Sequence, residues 1–148
     1  MGASGVWPCC SLPVTVPEST AVGNGAAPAR KVGRVLDTSP LTEAVERFAD
    51  RLRAMPQSRL QRGAAAEALE LARELSVRAQ RLEAPDGAAP AHTMPDAGVF
   101  AVGDQVAVAG TDLAEALRTA APETAKAPSE MLDEAVRLVE QAEVRATR

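Results

Sequence analysis

Leu60, Ala64, Ala68, Leu71, Leu75, Ala79 and Leu82 recur every three or four residues. That spacing puts them on one face of an α-helix and cannot be laid along one face of a strand. Ser58 and Gln61 stand in S-x-x-Q order just ahead of the stripe and read as a capping box. Pro85, Asp86 and Gly87 stop it. A helix over residues 59–84 would be about 39 Å long at 1.5 Å per residue. A helix of that length with one apolar face has to bury it against other helices, which directs the chain toward an all-α fold.

The segment before it repeats the pattern. Leu41, Val45, Phe48, Leu52 and Met55 lie at helical spacing, between Ser39 as N-cap, with Pro40 at the first helical position, and Pro56 as terminator. Glu43, Arg47 and Arg51 fall on its outer face. The short connection at Pro56 and Gln57 suggests a helical hairpin. Residues 85–95 form a Pro- and Ala-rich loop. Residues 96–120 admit two readings. In one, a helix capped near Asp96 turns Val99, Val102, Val106, Leu113 and Leu117 inward, and Gly103, Ala107, Gly110 and Ala114 make a small-residue stripe for close helix contact. In the other, Gly103-Asp104 is the turn of a β-hairpin over 98–109, and a shorter helix starts at Asp112. The helix is the preferred reading. After a hinge over 120–127, Pro128 and Ser129 lead into a final helix with Met131, Ala135, Leu138, Val139 and Ala142 on its stripe. Arg145 and Arg148 sit near its C-terminal end, where the helix dipole favours cations.

Composition narrows the core. The 148 residues include no isoleucine and no tyrosine, and the aromatics are Trp7, Phe48 and Phe100. The core must therefore be built of Leu, Val and Ala. Such small side chains bury little area each but let helix axes approach closely. A core so poor in large side chains could be completed by a second copy. The expected architecture is an all-α antiparallel bundle of three or four helices over roughly residues 38–146, the alternative carrying a small β-hairpin at 98–109. The domain is 37–148. Residues 1–36 mix Gly, Ala, Pro, Ser and Thr without period and read as a disordered tail, or as chain added by a start codon assigned too far upstream. They do not read as a secretory signal, because Pro8, Pro13 and Pro17 interrupt any apolar run. Val6 stands where a myristoylation motif needs Ser or Thr.

The stretch from Leu41 to Leu117 resembles small helical proteins of actinobacteria. The strings that carry the resemblance are AVERFADRLRAMPQSRLQRGAAAEALELARELS and MPDAGVFAVGDQVAVAGTDLAEAL. It covers about half the chain and implies a helical domain beginning near residue 38. It implies no activity, cofactor or site residue. The excess of arginine over lysine, 14 to 2, fits the GC-rich codons of such genomes.

Chemistry finds little purchase. Both cysteines, Cys9 and Cys10, are adjacent and lie in the first ten residues, which suits a reducing cytoplasm and supplies no disulfide framework. No stretch is long and apolar enough to suggest a membrane span. His92, the single histidine, precedes Asp96 by four residues, but a metal site wants three or four protein ligands and only Asp86 is otherwise near. Asp112 with Glu115, and Asp133 with Glu134, are better read as solvated or dipole-stabilising acids than as an acid–base pair. Gly98, Gly103 and Gly110 match neither a dinucleotide fingerprint nor a P-loop. No cofactor is expected, and an enzyme working through His92 is the weakest of the functional readings.

The exception is a basic cluster. Arg51 and Arg53 end the first helix, and Arg59 and Arg62 open the second, where the dipole disfavours them. Around one helix–helix turn these four could hold a phosphate, a nucleic-acid backbone or an acidic partner. A helix-turn-helix also fits by length, but the second helix is too long and its stripe runs its full length. Net charge is +1 over residues 1–40, +1 over 41–84 and −6 over 85–148. That balance argues against a surface devoted to nucleic acid. The leading expectation is a non-catalytic cytoplasmic interaction module with a protein partner or a second copy of itself. The alternative is a regulator that binds nucleic acid or phosphate through the arginines.

Overall fold

A computed structural model of the chain describes residues 35–84, 91–120 and 126–148. The elements are α1 (Ser39–Arg53), the one-turn α2 (Gln57–Arg59), a kinked turn (Leu60–Ala64), α3 (Ala65–Glu83), α4 (Val102–Thr119) and α5 (Pro128–Thr147). The fold is an all-α bundle of four long helices, with no strand among the described residues. The tail expected over 1–36 lies outside the described residues except for Val35 and Leu36, as do Asp86 and much of the 120–127 hinge.

Each helix buries the face its sequence marked. In α1, Leu41, Val45, Phe48 and Leu52 are at most 2% exposed, and Ala44 and Ala49 fill between them. Leu60, Ala64, Ala68, Leu71, Leu75 and Ala79 are all buried along the second stripe, with Leu82 partly so. In α4 the inward residues are Val102, Val106, Ala109, Leu113, Ala114, Ala116 and Leu117. In α5 they are Leu132, Ala135, Val139, Ala142 and Ala146, with Met131 and Leu138 at the edge. These side chains, Ala49 apart, form one core cluster. Among the described residues the exposed large hydrophobics are Val35, Phe100, Val108 and Val144.

Helix directions follow from the pairs that meet. Arg53 near the end of α1 reaches Asp104 near the start of α4, and Val45 faces Gly110, so α1 and α4 run antiparallel. Arg145 meets Glu67 and Arg78 meets Glu134, so α3 and α5 run antiparallel as well. The most extensive packing is of α3 on α4. It depends on a strap, residues 91–98, that returns the chain along α3. Gln80 grips the His92 backbone twice, donating from Nε2 to its carbonyl at 2.9 Å and accepting its N–H at 2.5 Å. Arg73 Nε donates to the Met94 carbonyl at 3.0 Å, and Gln105 Nε2 to that of Pro95 at 2.6 Å. Asp96 then accepts the Gly98 N–H, and Gly98, at φ 95°, turns the chain into α4. Since α4 starts beside the start of α3, the α1 and α3 helices both pack on α4 and α5, and no substantial α1–α3 contact forms.

Four local expectations shift. The β-hairpin alternative at 98–109 does not form, because the small residues serve helix packing instead. A Cβ on Gly103 would lie 3.1 Å from the Ala49 carbonyl oxygen, and one on Gly110 would lie 2.5 Å from both Val45 methyls. The cap of α1 is Thr38 rather than Ser39. The Thr38 carbonyl accepts from the N–H groups of Leu41 and Thr42, while Asp37 accepts the Ser39 N–H at 3.0 Å. At the start of α5, Pro128 and Ser129 belong to its first turn, with Ala127 as cap. The capping box at Ser58 and Gln61 does not form either. The chain enters the helix at Pro56 with no side-chain cap, and the run over 59–84 is broken at Gly63, whose φ of 135° lies outside any helix. Glycine alone adopts that angle without strain.

Candidate anion-binding groove

The break at Gly63 shapes the site. It ends the tight turn that carries Arg59 and Arg62 and lets α3 set off in its own direction. Both arginines are thereby turned toward the C-terminal end of α5. Arg59 Nη2 donates to the Thr147 carbonyl at 2.6 Å, and Arg62 Nε donates to the Ser58 carbonyl at 3.1 Å. Each guanidinium is held by one edge to a backbone oxygen. Neither meets a carboxylate.

The groove between this turn and α5 encloses about 510 Å³, and its walls carry Arg59, Arg62, Gly63, Glu67, Arg145 and Arg148. Arg145 Nε donates to Glu67 Oε2 at 2.7 Å, the one ion pair in the groove. Arg148 has no carboxylate partner among the described residues. Four guanidiniums therefore face one carboxylate. Arg59 also borders a smaller hollow of about 270 Å³ that includes Arg51, Met55 and Pro56.

The expected cluster of Arg51, Arg53, Arg59 and Arg62 is thus divided. Arg53 is tied to Asp104 at 2.7 Å and to Asp50 at 2.8 Å, and these hydrogen bonds hold its guanidinium pKa above the usual arginine value. Arg51 reaches Glu143 Oε1 at 3.2 Å, and Arg47 approaches the same carboxylate at 3.6 Å. Glu143 is only 12% exposed between them. Arg51 and Arg53 therefore work as interhelix ties. Their place in the basic site is taken by Arg145 and Arg148, whose position near the end of a helix explains them in sequence and conceals that they face Arg59 and Arg62.

The other sequence candidates do not assemble. His92 is exposed, with its backbone held by Gln80, and no cluster of three or more His, Cys, Asp or Glu among the described residues could hold a metal ion. Asp112, Glu115 and Asp133 are exposed. Glu134 binds Lys126 and Arg78, and those hydrogen bonds pull its carboxyl down to about 2, opposite to what a general acid requires. Arg78 is itself opposed by burial, but its hydrogen bonds to Glu74 and Glu134 outweigh that and hold it charged.

A groove of this composition can bind and orient anions. No described helix is long and apolar enough to cross a membrane. No family model, curated protein or solved structure matches the chain.

Proposed function

We propose that this protein is a non-catalytic interaction module that docks an acidic segment of a partner protein in the groove between the Pro56–Ala64 turn and the end of α5. The observation that carries this reading is that Arg59, Arg62 and Arg148, all without carboxylate partners, line one groove with Arg145, whereas the other described arginines without an ion pair, Arg73, Arg81 and Arg137, do not line it. Holding charged side chains apart from the available acids favours an external anion. A protein partner is favoured over nucleic acid because the net charge is −4 and the basic surface is confined to one groove. A helical fold with no described helix long and apolar enough to cross a membrane, and no cysteine among its described residues, supports a cytoplasmic setting, and the resemblance over Leu41 to Leu117 supports an actinobacterial one.

The test is titration of a fluorescent oligoglutamate peptide, and of single-stranded DNA of equal charge, with the full chain. Wild-type protein binds the peptide, and affinity falls steeply from about 50 to 200 mM salt. Arg59→Ala with Arg62→Ala lowers affinity about tenfold or more, while Arg81→Ala, an exposed arginine at the far end of α3, leaves it unchanged. Equal loss in both variants would reduce the groove to general surface charge. Clear preference for DNA would replace the protein partner with nucleic acid.

A further inference from the structure

We infer that the groove is built for a phosphate-monoester dianion, with the Glu67 carboxylate as the internal competitor that such a ligand displaces. This rests on the groove being the binding surface, and it adds the chemical class of the group that enters.

Two features separate phosphate from a simple carboxylate. The first is geometry. Arg59 and Arg62 come from the turn, and Arg145 and Arg148 from α5, so donors approach from two walls. Arg59 spends Nη2 on Thr147, and Arg62 spends Nε on Ser58, so both forks are anchored while their remaining N–H groups stay without a partner. A phosphate monoester has three terminal oxygens to receive donors from several directions, whereas a carboxylate has two in one plane. The second is charge. Counting side chains alone, four guanidiniums against Glu67 leave three positive charges. One carboxylate would leave two of them unmatched, and a dianion leaves one.

Glu67 completes the picture. Its side chain is 35% exposed and reaches into the groove from the first turn of α3 to hold Arg145. It occupies one donor face in the absence of ligand and keeps the arginines from repelling one another. An entering dianion competes for Arg145. The groups that face it are then Glu67 from α3, Arg59 and Arg62 from the turn, and Arg145 and Arg148 from α5. The pH dependence expected of binding is that of the ligand, whose second pKa is about 6.

Calorimetry of the full chain with four probes tests this: inorganic phosphate, a neutral peptide bearing one phosphoserine, the same peptide with glutamate there, and the unmodified peptide. Phosphate and the phosphopeptide should bind, the glutamate peptide at least about tenfold more weakly, and binding should strengthen as pH rises from about 5.5 to 7.5 as the monoester becomes a dianion. Tighter binding of phosphopeptide than of free phosphate assigns the group to a modified protein, and the reverse order assigns it to a small phosphate ester. Glu67→Gln should raise phosphate affinity severalfold. Arg59→Lys with Arg62→Lys keeps the charge and removes the forks, and should lower phosphate affinity while oligoglutamate binding persists. Equal binding of the glutamate peptide and the phosphopeptide would overturn the dianion assignment while leaving acidic docking intact. Weaker binding in Glu67→Gln would overturn the competitor role. Loss of oligoglutamate and phosphate binding alike in wild-type protein would sink the groove itself.

Discussion

At the scale of single residues, Gly110 leaves the least room for a side chain of the described glycines. Its hydrogen lies where any Cβ would sit 2.5 Å from both methyls of Val45, a short, branched, buried side chain with nowhere to turn. Alanine ordinarily gains about 1 kcal/mol over glycine inside a helix. Overpacking of this kind costs about 1–3 kcal/mol. Gly110→Ala should therefore lower stability, by up to about 2 kcal/mol net, read as a lower urea midpoint with unchanged slope. Adding Val45→Ala opens the space, so the double variant should be more stable than the sum of the two single losses predicts. Simple additivity would show that the two helices relax apart instead. Gly63 is the opposite case. Nothing lies within 4 Å of its missing Cβ, and its role is entirely in the φ of 135°. The stripe of small residues was legible in the sequence, but the purpose of Gly63 was not. An isolated glycine inside a helical pattern is often tolerated, and only the direction of α3 reveals that this one breaks the run.

At the scale of elements, the strap decides the topology. Helix α4 begins beside the beginning of α3 because residues 91–98 return along α3, and the fastening is by side chains on backbone groups rather than by a buried apolar run. Gln80 supplies two of those bonds, one to each of the peptide groups that flank the His92 Cα. Gln80→Ala removes both and should cost about 1–2 kcal/mol, at roughly 1 kcal/mol per net hydrogen bond. Hydrogen exchange should show the effect as faster exchange at residues 91–95 and little change in α1 or α5. Uniform acceleration across the bundle would instead make the strap part of the global unfolding unit. The sequence marked this segment as a loop from its Pro and Ala content. It could not show the loop's course, because nothing at Gln80 or Arg73 distinguishes a side chain that grips a distant peptide from one that points into water. The last helix was placed correctly by its stripe, and its first turn was missed by two residues because Pro128 is as much at home inside a first turn as before one.

At the scale of the whole molecule, the seams between helices are laced by charge. Arg53–Asp104 joins α1 to α4, Arg51–Glu143 joins α1 to α5, and Arg145–Glu67 and Arg78–Glu134 join α3 to α5. Lys126 and Arg78 hold the Glu134 carboxyl down to about 2 from an ordinary 4.5, and the Ser39 hydrogen bonds lower that of Asp37 as well. A carboxylate with a depressed folded pKa contributes stability above its unfolded pKa and loses it as pH falls toward the folded value. Thermal midpoints should therefore be level near neutrality and fall as pH drops from about 4.5 toward 2. In Glu134→Gln the fall over that window should be shallower. An identical acid profile in the variant would mean that other carboxylates govern the transition.

The sequence by itself marked the first, second and last long helices and the faces they turn inward, and left residues 96–120 between a helix, expected from near Asp96, and a hairpin, where α4 in fact runs from Val102 to Thr119. Periodicity, proline and small-residue spacing are local properties, and burial of an apolar stripe follows from them wherever the helices meet. Tertiary structure decided which arginines are partners and which are free. Arg51 and Arg53 looked equivalent to Arg59 and Arg62 because all four surround one turn, yet Glu143 and Asp104, some 90 and 50 residues further along, claim the first two. Arg145 and Arg148 join the others only because α5 lies antiparallel to α3 and ends beside Gly63. Charge acts through space over a few ångströms. A site made by convergence of distant segments leaves no local pattern, so its composition becomes visible only when the fold has brought those segments together.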